Sequence, residues 1–201
     1  MKQMPFRTMG RAMALGLCLF ACASCGTAVR QGRGSSYLVI DALEGARGGE
    51  TAGEPSFVLE SDVITKGTVY EDAGHVTLRA SMKDPLNPAG ATTTNEITIT
   101  SYHVSFTRAD GLNTPGVDLP YGFDSAATAT VKVDSAIPVQ FVLVRVQAKL
   151  EPPLMALRGT GGKMVISTIA QVTFYGHDQA GNQVSVTGTI GVNFADWGDP
   201  K

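Results

Sequence analysis

Beyond residue 25 the 201-residue chain contains no cysteine; Cys18, Cys22 and Cys25 are its three. Everything downstream therefore lacks a disulfide, a thiolate metal site, a thiol nucleophile and a Cys-x-x-Cys redox pair, and must be held by its core and its strand ladders. Charge is scarce too, at 17% Asp, Glu, Lys and Arg. With Lys2, Arg7 and Arg11 set aside, thirteen basic residues face eighteen acidic ones, a net charge near −5 with no basic run. Phosphate binding needs a basic patch, so this balance argues against a nucleic-acid partner. One Trp and five Tyr are a poor supply of stacking platforms for carbohydrate. There is no His-Glu-x-x-His and no Gly-x-Ser-x-Gly. Gly162-Lys163 does not complete a phosphate loop, because Leu157 stands where the first glycine belongs and Met164 where Ser or Thr would follow.

What the chain does have begins at its start. Lys2, Arg7 and Arg11 precede the apolar run Ala12–Ala21, and small residues lead into Cys22-Ala23-Ser24-Cys25-Gly26. A basic head, a short apolar stretch and small residues before a cysteine make an export signal, and the run is too short to span a bilayer, which takes about 20 apolar residues. The pattern resembles the lipobox of bacterial lipoproteins, and the resemblance implies that a cysteine is acylated and becomes the mature N-terminus. Leu19-Phe20-Ala21 precedes Cys22, whereas Ala23-Ser24 precedes Cys25, with the polar segment Gly26–Gly34 behind it. Cys25 is the preferred attachment site and Cys22 the alternative; an ordinary cleavable signal is the other reading. The expected layout is a signal over 1–24, a tether over 25–55 with a short strand at 37–43, an all-β domain over 56–197 and a tail over 198–201.

Seven segments of the domain carry strand signals, with no convincing helix. Ser56–Ile64 places Phe57 and Leu59 on one face. His75–Lys83 alternates, with Val76, Leu78, Ala80 and Met82 inward. Asn95–Arg108 has Ile97 and Ile99 in one phase and Tyr102, Val104 and Phe106 in the other, which predicts a β-bulge between them. Ala127–Asp134 follows, with Ala129, Val131 and Val133 on one side. Pro138–Leu150 reads as one strand, with Val142, Val144, Val146, Ala148 and Leu150 inward and Arg145, Gln147 and Lys149 toward solvent. Lys163–Gly176 turns Met164, Ile166, Ala170, Val172 and Phe174 inward, and Asn182–Phe194 does the same with Val184, Val186, Ile190, Val192 and Phe194. Between these two, Asp178 can cap a turn and Gly181 can supply φ > 0, so the pair reads as a hairpin. One-faced alternation means antiparallel sheets with one wet side, and two such sheets covering each other make a sandwich.

Ile99-Thr100-Ser101-Tyr102-His103-Val104-Ser105-Phe106 resembles the third strand of fibronectin type III domains, and Asp178-Gln179-Ala180-Gly181-Asn182 is similar to the closing hairpin of bacterial immunoglobulin-like modules. The resemblance covers about 56–194 and implies a single antiparallel sandwich of about seven strands. It carries no function. The chain departs from the pattern in having no Trp in the second strand and in its longer loops.

No residue set converges on chemistry. His75, His103 and His177 lie on separate segments, which argues against a metal site. Asp178 with Asn182, or Glu71 with Asp72, offers too few oxygens for calcium. No cofactor, no metal and no catalytic residue is expected. Two loops are unusually apolar: Gly111–Ser125, with Leu119 and Tyr121, and Glu151–Gly162, with Leu154 and Met155. Leu119, Tyr121, Leu154 and Met155 either form a partner site or cap the sandwich. The functional expectation is a non-catalytic lipoprotein of the cell envelope, anchored in the bilayer through its acylated cysteine and binding an envelope protein or polymer. The alternatives are a carbohydrate-binding module and a hydrolase on a sandwich scaffold.

Overall fold

Two sheets account for the strand pattern. The computed structural model describes residues 34–84, 86 and 90–197, and the expected signal, with Cys22 and Cys25, lies outside them. One sheet has the order β1-β3-β6, from Ser36–Ala46 (β1), Asp72–Met82 (β3) and Ile137–Val144 (β6). The other has the order β2-β8-β7-β4-β5, from Val58–Asp62 (β2), Gln183–Ala195 (β8), Ile166–Asp178 (β7), Ile97–Thr107 (β4) and Phe123–Val131 (β5). All neighbours are antiparallel except β2 and β8, which run parallel. The protein is all-β, and its sheets pack as a sandwich.

The core is the sum of the inner faces. Val76, Leu78 and Ala80 of β3, Ile97, Ile99, Tyr102, Val104 and Phe106 of β4, Ala170, Val172 and Phe174 of β7 and Ile190, Val192 and Phe194 of β8 are all buried. The change of phase in β4 is the anticipated bulge: the ladders to both β5 and β7 slip between Ile99 and Ser101, leaving Thr100 at the surface. One extra residue is what lets both Ile99 and Tyr102 face inward. The hairpin also forms as expected. The Asp178 carboxylate accepts hydrogen bonds from the N–H groups of Ala180 (3.0 Å) and Asn182 (2.8 Å), and Gly181 takes φ +81°.

Four expectations need correction. The short run at 37–43 is a full strand, Ser36–Ala46, paired along β3, so the described residues hold eight strands rather than seven. Phe57 and Met164 are exposed, since each lies outside the strand it was expected to extend. Pro138–Leu150 is not one strand: β6 ends at Val144 and a short helix, α1, covers Val146–Leu150. Within β6 the inward positions are Phe141 and Leu143, the phase opposite to that expected, until a register slip opposite Asp72 and Ala73 brings Val144 inward as well.

The helix has the larger consequence. Over five residues, Val-Gln-Ala-Lys-Leu fits either period, while Gln, Ala, Lys and Leu favour helix. Once the period is 3.6 rather than 2, neighbouring Ala148 and Lys149 both turn inward and Leu150 turns out. Lys149, expected in solvent, has no exposed side-chain surface.

Candidate functional site

The four loop residues divide. Leu119 and Leu154 are buried in the hydrophobic core, whereas Tyr121 is 54% and Met155 47% exposed. Leu119 is held by its own loop, where its carbonyl accepts the Gly116 N–H at 2.8 Å. Leu154 opens a 3-10 turn, Leu154–Leu157, whose Leu157 is buried beside it. One leucine in each loop therefore caps the core, and one large side chain in each faces solvent.

The histidines do not converge. His103 pairs across strands with Asp124 (2.8 Å), His177 meets the Asp178 carbonyl (3.0 Å), and His75 lies on the outer face of β3. Among the described residues no group of three or more His, Cys, Asp or Glu is placed to hold a metal. Nor, among them, is any helix long and apolar enough to cross a membrane.

A concavity lies elsewhere among the described residues. A cleft of about 380 Å³ opens on the outer face of the three-stranded sheet, between β3, β6 and the loop that leaves β1. Arg47, Tyr70, Glu71, His75 and Gln140 bring polar groups to it, while Ala46, Ala73 and Pro55 form apolar wall. The volume falls in the range of about 300–1,000 Å³ usual for ligand sites. A second hollow of about 370 Å³ shares Glu71, Ala73 and Gln140 and reaches round β6 to Ser125 and Ala126 of β5. Both β5 and β6 are outermost strands of their sheets. The two hollows thus follow the side of the sandwich where its sheet edges part.

Beneath this cleft sits a buried polar cluster. Lys149 Nζ lies 2.9 Å from both Asp72 Oδ1 and Asp72 Oδ2, and neither side chain is exposed. Ser61 donates its hydroxyl to Oδ2 at 2.6 Å, and the Gly48 N–H donates to Oδ1 at 2.9 Å. Gly48 has to be glycine here, because a Cβ would stand 1.9 Å from the Glu71 carbonyl oxygen. Four segments therefore meet on one carboxylate: the loop that leaves β1, β2, the start of β3 and α1. Burial pushes the Lys149 amine below its ordinary range, against the pull of Asp72. Next to Ser61 in β2, burial pushes the Asp62 carboxyl up, opposed by its hydrogen bonds from Thr65, Ile64 and Trp197.

No family model, curated protein or solved structure matches the chain. Sequence reasoning missed both features, although each left a trace. Ala73 and His75 fall on the outward phase of β3, and Glu71-Asp72 is an acidic pair at a strand start. Nothing local shows that Gln140 joins the first two, or that Lys149 reaches Asp72 across 77 positions.

Proposed function

We propose that this chain is a non-catalytic interaction module of the bacterial cell envelope. It is anchored by an acyl group on Cys25, or on Cys22, and presents an immunoglobulin-like or fibronectin III-like sandwich to a protein partner. The strand order supports that finer fold. Taking β1, β3 and β6 as A, B and E, and β4, β7 and β8 as C, F and G, places A-B-E against C-F-G, with β5 beside C.

The observation that carries the function is the pair of adjoining hollows over β3 and β6, the second of which reaches the β5 edge. An outermost strand offers unpaired backbone donors and acceptors, and an extended polypeptide can add to it while side-chain pockets select its sequence. Glu71, His75 and Gln140 supply such selective groups beside the β6 edge. A hydrolase reading would need a nucleophile with its base or a converging carboxylate pair, and the cleft brings Glu71 together with no second carboxylate.

The test is site-specific photo-crosslinking in the native envelope. A photoreactive residue at Gln140 should form one discrete protein adduct, and the same residue at exposed Thr189 on the opposite sheet should not. No adduct at Gln140, or the same adducts from both positions, would remove the cleft as the partner site. The anchor is tested separately: wild-type protein should enter the detergent phase, and Cys22→Ala with Cys25→Ala should abolish this.

A further inference from the structure

The geometry points to an intramolecular amide bond between Lys149 Nζ and Asp72 Cγ, a covalent staple formed by the folded protein itself. Nζ is 2.9 Å from both carboxyl oxygens, which places it in contact with the carbon that carries them. Contact distances of about 3–3.5 Å between reacting atoms are those from which held groups react without further search. Both side chains have no exposed surface, so bulk water neither competes with the amine nor hydrolyses the product.

The surroundings suit the step. Burial favours the neutral amine, which is the nucleophilic form. Within the pair, one proton passes from the ammonium to Asp72 Oδ1, giving amine and carboxylic acid. Nζ then adds to Cγ, and charge develops on Oδ2, where the Ser61 hydroxyl already donates at 2.6 Å. A second Nζ proton goes to the Oδ1 hydroxyl as the Cγ–Oδ1 bond breaks. One N–C bond forms, one C–O bond breaks, one water leaves, and nothing is oxidised or reduced. Two buried charges disappear in the process, removing the desolvation cost of keeping them. The Gly48 N–H holds Oδ1 until it departs.

The staple would join the start of β3 to the helix after β6 in a chain with no cysteine beyond residue 25. It would do for an exported domain what a disulfide does elsewhere, without depending on redox conditions. It is independent of the partner reading, since it needs only the fold.

The test is peptide mass spectrometry of the purified full chain, denatured and digested with trypsin. The expected product is one species with the mass of peptides 67–79 and 146–158 together, less one water, uncleaved after Lys149. Its fragment ions should place the link at Asp72 and Lys149, and Lys149→Arg should give none of it. Free peptide 67–79 at full yield, together with 146–149 and 150–158, would overturn the proposal and leave an ordinary buried ion pair.

Discussion

Tyr102, on β4, reaches across the sandwich to the other sheet, where its hydroxyl oxygen accepts the Val142 N–H of β6 at 3.1 Å. Its ring packs edge-on against Phe141, with centroids 5.1 Å apart, and against Phe123 at 6.2 Å. The residue therefore joins the two sheets twice, once by area and once by a bond to an outermost strand.

Removing only the hydroxyl separates these roles. Tyr102→Phe should cost about 1–2 kcal/mol, as the Val142 N–H loses its partner in a partly buried setting. Tyr102→Ala should cost about 3–5 kcal/mol, because the ring contacts go as well and a cavity remains. Urea denaturation of both variants checks the order; equal losses would show that the hydroxyl carries the whole effect.

Lys149→Ala should be among the most damaging substitutions of a charged residue in this protein. It leaves the Asp72 carboxylate buried with only Ser61 and Gly48 as donors; removing one partner of a buried ion pair costs about 3–5 kcal/mol, and loss of a covalent link would add to that. Lys163→Ala, at an exposed position before β7, should leave the urea midpoint near that of wild type. Similar midpoints for the two variants would contradict the burial of Lys149.

The two apolar loops can be tested residue by residue. Leu119→Ser and Leu154→Ser should each lower Tm sharply, because a buried leucine is lost and a hydroxyl enters the core. Tyr121→Ser and Met155→Ser should change Tm little, both side chains being about half exposed. If the exposed pair also binds a partner, its loss will show in capture and not in the melt.

Asp62 should make stability depend on pH in a direction unusual for a carboxylate. Its folded-state pKa is raised by burial, so the folded protein holds the proton more tightly than the unfolded chain does. Between the ordinary carboxylate value of about 4 and the raised folded value, stability therefore falls as pH rises. Asp62→Asn cannot ionise and should gain on wild type, in urea midpoint, as pH is taken up through that window. A variant that loses ground over the same interval would mean that the bonds from Thr65, Ile64 and Trp197 outweigh burial.

Alternation along the chain was enough to determine that the domain is all-β with two covered sheets. It also located the β4 bulge and the Asp178–Asn182 turn. These are local properties, since side chains alternate with period 2 wherever a strand has one wet face, and an inserted residue shows as a break in phase. The order of the strands was not legible, because pairing is decided by which faces and edges meet after the chain has folded back. The fate of Lys149 shows the same limit from the other side. Five residues after a strand fit two periods, and only the helix turns that amine inward to Asp72. The cleft likewise exists only once Arg47, Glu71, His75 and Gln140, from three separate stretches of chain, are brought to one face. Composition and spacing report what each segment tends to do; burial, charge pairing and concavity depend on distances between segments, which the tertiary fold alone sets.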